Sequence, residues 1–229
     1  MARRRWRSEQ SARSQHYLAA TVAGELVRDA GIAPAHIVLD IGAGTGVLTS
    51  LLVRRASRVI AVESDATLAR GLRRRFDASP TVEVVEADIL DTPLPDEPFV
   101  VVSNPPFHIT TALLRHLLTP TALLQRADLV MSWGQAVGLI QVYPQSRLAL
   151  EWLPWYELVL MRRLEPRSFH PPPSCAAAVV SIRKRDPPLL NPADGIRYRD
   201  VLRRGRTQPT LDVWDTVRSC RATRRLSSL

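Results

Sequence analysis

The residues best suited to chemistry in this sequence stand at 104–107, where Asn104-Pro105-Pro106-Phe107 follows the apolar run Phe99-Val100-Val101-Val102. A short β-branched run of that kind predicts an inner strand of a parallel sheet. Two successive prolines then set φ, remove two N–H donors and disfavour helix in the residue before each, so Asn104 and Phe107 sit on a stiff extended corner. A stiff corner suits a site that must position a flat ring. The Asn104 amide and a neighbouring backbone carbonyl can accept from an exocyclic amino group, while the Phe107 face stacks on the heterocycle that carries it. An amine conjugated to a ring is a weak nucleophile because its lone pair is delocalised. Two acceptors on its hydrogens favour a pyramidal nitrogen and free that lone pair, with no general base required. Taken alone, the tetrapeptide fits equally a proline-stiffened loop that only closes a strand.

The elements that must position such a site lie upstream. Ile37-Val38-Leu39-Asp40-Ile41 predicts a strand, Gly42-Ala43-Gly44-Thr45-Gly46 a turn and 47–56 a helix. Glycines at that corner let the backbone approach a ligand and aim amides at it. Gly-x-Gly-x-Gly with Asp40 two residues ahead differs from the Gly-x-Gly-x-x-Gly of dinucleotide sites and favours S-adenosylmethionine over NAD. A second strand over 59–62 ends in Glu63, 21 residues beyond Gly42, where an acid can accept from both ribose hydroxyls of an adenosine. The competing reading of Glu63 is a charge at the N-terminus of the helix predicted over 66–76. Asp88 follows a third strand at 82–85 and can accept from the cofactor's adenine amino group. Gly42, Glu63, Asp88 and Asn104 are thus expected to share one rim of one sheet.

With 229 residues, 45% apolar and 23% charged, the chain has the length for one α/β domain and an appendage. The net charge is +9 and the only lysine is Lys184. Arginine suits bidentate phosphate contacts and base stacking, so a polyanionic partner is favoured over a membrane, although a GC-rich genome would also enrich arginine. Cys175 and Cys220 carry no Cys-x-x-Cys spacing, so neither zinc nor a disulfide framework is indicated. The basic start is followed by Ser8-Glu9-Gln10-Ser11 and not by an apolar segment, and no run reaches membrane-spanning length. A monomeric cytoplasmic protein without metal is expected.

Residues 1–13 read as a basic arm, with Arg3, Arg4, Arg5, Arg7 and Arg13 as RNA contacts. Leu18, Val22 and Leu26 share one face of a predicted helix stopped by Gly31; the preceding Gln15-His16 is either its cap or a ligand contact. A helix is predicted over 109–118, a fifth strand and the start of a helix within 127–140, and two more strands at 158–164 and 176–182. Phe169, in the proline-stiffened loop between the last two, is either a second aromatic for the target base or a lid over the core. The domain organisation is therefore an arm at 1–13, a catalytic domain at 14–186 and an Arg-rich segment at 187–229, with Arg203 and Arg204 as further RNA contacts.

Ser14-Gln15-His16-Tyr17-Leu18, Asp40 to Gly46, Glu63, Glu86-Ala87-Asp88, Asn104-Pro105-Pro106-Phe107 and Phe169-x-Pro171-x-Pro173 together resemble the rRNA adenine N6-methyltransferase family, and within it the Erm-type macrolide-resistance enzymes. The resemblance covers roughly 10–185. It implies a class I S-adenosylmethionine-dependent methyltransferase, an α/β fold with a mostly parallel seven-stranded sheet and helices on both faces, plus a C-terminal helical domain reduced here. It implies as substrate an adenine of 23S rRNA near the peptidyl-transferase centre, whose methylation blocks macrolides, lincosamides and streptogramin B. By position, Gln15, His16 and Leu18 would meet the methionine end of the cofactor, Gly42 and Gly44 its backbone pocket, Glu63 its ribose, and Asp88 with Ile89 its adenine. Asn104, Pro105, Phe107 and Phe169 would hold the target base. The sequence departs from the family at Gln15-His16-Tyr17, usually Gln-Asn-Phe, and at Pro105, usually an apolar residue. Small-subunit rRNA dimethyltransferases share every motif, and a non-catalytic RNA-binding protein on the same scaffold is the rival from another class.

Overall fold

The computed structural model describes residues 16–140, 147–204, 217, 218 and 220. Gln15 and the five arginines of the expected arm lie outside the described residues.

A strand pair stands in front of the main sheet: β1 (Tyr17–Leu18) runs antiparallel to β8 (Phe169–His170), with Leu18 opposite Phe169. The main sheet contains β2 (Ile37–Ile41), β3 (Arg58–Glu63), β4 (Val82–Glu86), β5 (Phe99–Ser103), β6 (Leu124–Ser132), β7 (Tyr156–Leu164) and β9 (Ala177–Lys184). Its order is β4-β3-β2-β5-β6-β9-β7. Strands β2 to β6 pair in parallel, and β9 enters antiparallel between β6 and β7. This is the mostly parallel seven-stranded sheet expected from the sequence.

The apolar runs are continuous because both faces of the sheet are covered. Leu39, Ile41, Phe99, Val101, Leu129, Met131, Val180 and Ile182 face one core; Val38, Val100, Val102, Val130 and Val179 face the other. The second core receives Leu26 and Val27 of α1 (Ala20–Asp29) and Leu48 and Leu52 of α2 (Val47–Leu52). The first receives Leu113, Leu114 and Leu117 of α4 (Thr110–Leu117), all fully buried. Each such leucine contributes roughly 2 kcal/mol, which holds a helix too short to persist alone. Between these, α3 (Ala66–Arg75) starts at Asp65, whose carboxylate accepts from the amides of Thr67 and Leu68.

Helices α5 (Trp133–Ile140), α6 (Arg147–Leu150) and α7 (Gly195–Arg204) complete the described chain. Arg203 and Arg204 are exposed at the end of α7. Tyr198 of α7 donates to the Leu150 carbonyl at 2.7 Å, and Val217 and Cys220 are buried in the same core as Tyr198. What is described after 187 therefore packs on the main sheet.

Two local expectations change. Helix α1 starts at Ala20 with Ala19 as its N-cap and no side-chain cap, so His16 does not cap it. Pairing with β8 draws Tyr17 and Leu18 into an extended strand, which overrides the helical spacing of Leu18 with Val22 and Leu26. No helix among the described residues is long and apolar enough to cross a membrane.

Candidate active site

The carboxyl ends of β2, β3, β4 and β5 open into one cavity of about 340 Å³. His16, Gly42, Gly44, Glu63, Asp88, Ile89, Asn104, Pro105 and Phe107 all line it, so nine of the expected residues are brought together. Parallel register explains the convergence: Ile41 pairs with Val62 and Val62 with Val85, which brings Gly42, Glu63 and Glu86 to one edge.

Gly42 and Gly44 have φ of +66° and +59°, a left-handed backbone that side chains disfavour. A Cβ on Gly42 would stand 3.3 Å from Pro106 Cδ, and one on Gly44 only 2.8 Å from the Tyr17 ring. The glycine corner is thus closed in by the proline loop on one side and by β1 on the other. Glu63 is buried; its Oε2 accepts from the Gly44 amide and its Oε1 from the Asp65 amide, both at 2.9 Å. Asp65 takes the helix cap, so the capping reading of Glu63 is filled by a neighbour. Asp88 caps the 3-10 turn Ile89–Asp91 through the Leu90 amide at 3.0 Å.

Below the corner, Asp40 is buried and accepts from Thr49 Oγ1 at 2.7 Å through Oδ2, while Oδ1 has no partner. Burial pushes its carboxyl up to about 7; the Thr49 hydrogen bond opposes this and the Glu63 charge adds to it. Burial, then the charges of Glu63 and Asp65, also raises the Tyr17 phenol.

The proline loop is pinned from three sides. Ser103 Oγ donates to the Ile41 carbonyl at 2.6 Å, joining the ends of β5 and β2. The Phe107 carbonyl accepts from Thr110 Oγ1 at 2.9 Å and from Gln135 Nε2 at 3.0 Å. Asn104 Nδ2 donates to the His16 carbonyl at 2.7 Å. That bond orients the amide and leaves Asn104 Oδ1, a buried acceptor, without a partner among the described residues. A buried carbonyl oxygen left unpaired costs free energy unless a ligand supplies the donor.

Two expected contacts sit elsewhere. Leu18 is buried in the core behind the cavity. Phe169 is only 4% exposed in that same core, and its ring meets Phe107 edge-on at 6.3 Å. It supports Phe107 from beneath, so of the two readings the lid over the core matches its position. The pairing of Leu18 with Phe169 is the reason: both side chains turn inward together. Tyr17, Ser64 and Leu90 also line the cavity, and local sequence pattern points to none of them. Alternation along β1 is the signal for Tyr17, since neighbours of a buried Leu18 must face the other way.

The cavity fits S-adenosylmethionine on these features. A Cβ at Gly44 would run into the Tyr17 ring, the buried Glu63 carboxylate ends β3 beside the glycines, and Val62, Ile89 and Leu90 give the lining an apolar portion.

The family profile described as ribosomal RNA adenine dimethylase matches residues 8–209. An rRNA adenine N-6-methyltransferase of Bacillus licheniformis is 32% identical over 90% of this chain and 72% of its own length. The mycinamicin-resistance protein MyrB of Micromonospora griseorubida is 36% identical over 76% of this chain, which spans 55% of that protein. The crystal structure of the 23S rRNA methyltransferase ErmE superposes with a TM-score of 0.75 at 31% identity, covering 84% of this chain and 80% of that one. The sheet order and this superposition make the fold that of the S-adenosylmethionine-dependent methyltransferases, and with the profile matching nearly the whole length, the chain belongs to the ribosomal RNA adenine dimethylase family and within it resembles the Erm type.

Proposed function

We propose that the chain methylates N6 of an adenine of 23S rRNA in the peptidyl-transferase region and so confers resistance to macrolides, lincosamides and streptogramin B. The observation that carries this reading is Asn104: one of its amide hydrogens is held by the His16 carbonyl, and its buried Oδ1, lining the same cavity as the glycines, is an acceptor without a partner among the described residues. S-adenosylmethionine supplies a methyl group on a sulfonium. Gly42 and Gly44 let the backbone close on its amino-acid end, Glu63 accepts from its ribose and Asp88 from its adenine. Phe107 stacks on a target adenine flipped from an RNA loop. Asn104 Oδ1 accepts from the N6 amino group and turns its lone pair toward the methyl carbon. With the cofactor bound, its sulfonium would give up the methyl group to N6, and the proton displaced from N6 would leave to solvent. Arg203 and Arg204, exposed on α7, supply phosphate contacts.

The test is expression in a macrolide-sensitive bacterium with primer extension across both large ribosomal RNAs. One new stop at a 23S adenine with raised erythromycin tolerance is expected. A stop confined to 16S rRNA without tolerance would replace the target by that of a small-subunit enzyme, and no stop in either would overturn the reading.

A further inference from the structure

We propose that Trp133 and Arg163 form a stacking step for an RNA nucleotide that flanks the one whose base enters the cavity. The inference rests on the rRNA reading above and adds a contact that neither the cofactor pocket nor the proline loop contains.

Trp133 opens α5 directly after Ser132, the last residue of β6, one strand away from β5 and its Asn104 loop. It therefore stands at the carboxyl rim, the side on which open α/β sheets meet ligands. Its amide donates to the Ala176 carbonyl at 2.8 Å. Two residues on, Gln135 Nε2 donates to the Phe107 carbonyl at 3.0 Å while its Oε1 accepts from Ser132 Oγ at 2.8 Å. The turn carrying Trp133 and the loop carrying Phe107 thus form one braced unit.

The indole is partly buried against the core on one side, and the Arg163 guanidinium lies over its ring, 4.9 Å from the centroid. Arg163 comes from β7, the edge strand, and its Nε meets Glu165 Oε1 at 3.1 Å with the side chain 52% exposed. The next turn adds the exposed Arg167. With the indole held between the core and the guanidinium, the outer plane of the exposed Arg163 is the surface on which an unpaired base of any identity stacks, Trp133 is the platform that orients it, and the cations suit the phosphate. The contact is therefore expected to hold the strand in register and to read no base edge.

The test uses the full chain and a fluorescently labelled 23S stem-loop whose loop carries the target adenine, with binding followed by anisotropy. Arg163→Ala should raise the RNA Kd about tenfold, Trp133→Ala by a similar factor because the guanidinium loses its platform, and Trp133→Phe should stay within about twofold of the parent because a flat ring remains. Affinity for S-adenosylhomocysteine should not move in any of the three, and the thermal midpoint should fall in Trp133→Ala alone, because the indole packs on the core. An unchanged RNA Kd in Trp133→Ala overturns the inference. So does a loss of RNA affinity that follows a fall in cofactor affinity, or one in Trp133→Ala that Arg163→Ala does not share, since that would make Trp133 a packing residue only. The functional reading is decided separately, by whether the parent chain methylates 23S rRNA. RNA binding by the Trp133 variants decides the stacking step in either case.

Discussion

Two loops of this molecule share one composition, an aromatic residue beside consecutive or near-consecutive prolines, and use it in opposite ways. Asn104-Pro105-Pro106-Phe107 lines the cavity; Phe169-His170-Pro171-Pro172-Pro173 keeps its phenylalanine inside the core. The difference comes from what precedes each loop. The first leaves the carboxyl end of a central parallel strand, where backbone pairing stops and polar groups are free to meet a ligand. The second is paired with β1, and that register turns Phe169 inward beside Leu18. Composition thus gives stiffness, and the strand before the loop decides what the stiffness serves. Phe169 still reaches the site through its edge-on contact with Phe107 at 6.3 Å, so one loop is the floor of the other.

The largest expected effect tests that division. Phe169→Ala removes a buried ring and leaves a cavity, a change that costs about 3–5 kcal/mol in protein cores. Denaturant unfolding should register the loss, with transfer by the remaining folded fraction reduced modestly. An unchanged unfolding midpoint with lost transfer would make Phe169 a base contact after all. Asn104→Ala should do the reverse. Transfer should fall on the order of 10²–10³-fold, as when one oriented hydrogen-bonding group is removed from a charge-developing site, while calorimetric affinity for S-adenosylhomocysteine stays near the parent value. Equal loss of both would sink the role given to Asn104.

Phe107→Ala comes next. A stacked base is worth roughly 1–3 kcal/mol, so kcat/KM for RNA should drop about 10- to 100-fold, and Phe107→Tyr should recover most of it because the face is kept. A stability loss matching that of Phe169→Ala would erase the distinction between the loops.

Much of this arrangement was legible beforehand. Strand, glycine turn and helix at 37–56 follow from local pattern, and Glu63, Asp88 and Asn104 each end an apolar run, so parallel pairing alone brings them together. What escaped the sequence was non-local. The pairing of Tyr17 with His170 and of Leu18 with Phe169, more than 150 positions away, leaves no periodic trace in two residues. For that reason local pattern leaves His16 between a cap and a ligand contact and offers no role for Tyr17, and the resemblance places Leu18 at the cofactor. The bond between Gln135 and Phe107 spans 28 positions and is equally silent.

His16 joins the two loops, and its replacement gives the smallest effect and the finest test. Its carbonyl accepts from Asn104 at 2.7 Å, and its ring Nδ1 lies 2.8 Å from the Pro171 carbonyl. The ring also meets Phe107 at 6.4 Å, tilted by 37°. His16→Ala keeps the carbonyl, and so the orientation of Asn104, while deleting the bridge to the second loop. One partly exposed hydrogen bond is worth about 0.5–1.5 kcal/mol, so cofactor affinity should weaken by a factor of about 2 to 10, with transfer at saturating cofactor nearly unchanged. His16→Asn, which restores a short side chain that can donate, should fall between parent and alanine. If His16→Ala instead abolished transfer as Asn104→Ala does, the carbonyl would depend on the ring for its position. The two loops would then have to be treated as a single catalytic element.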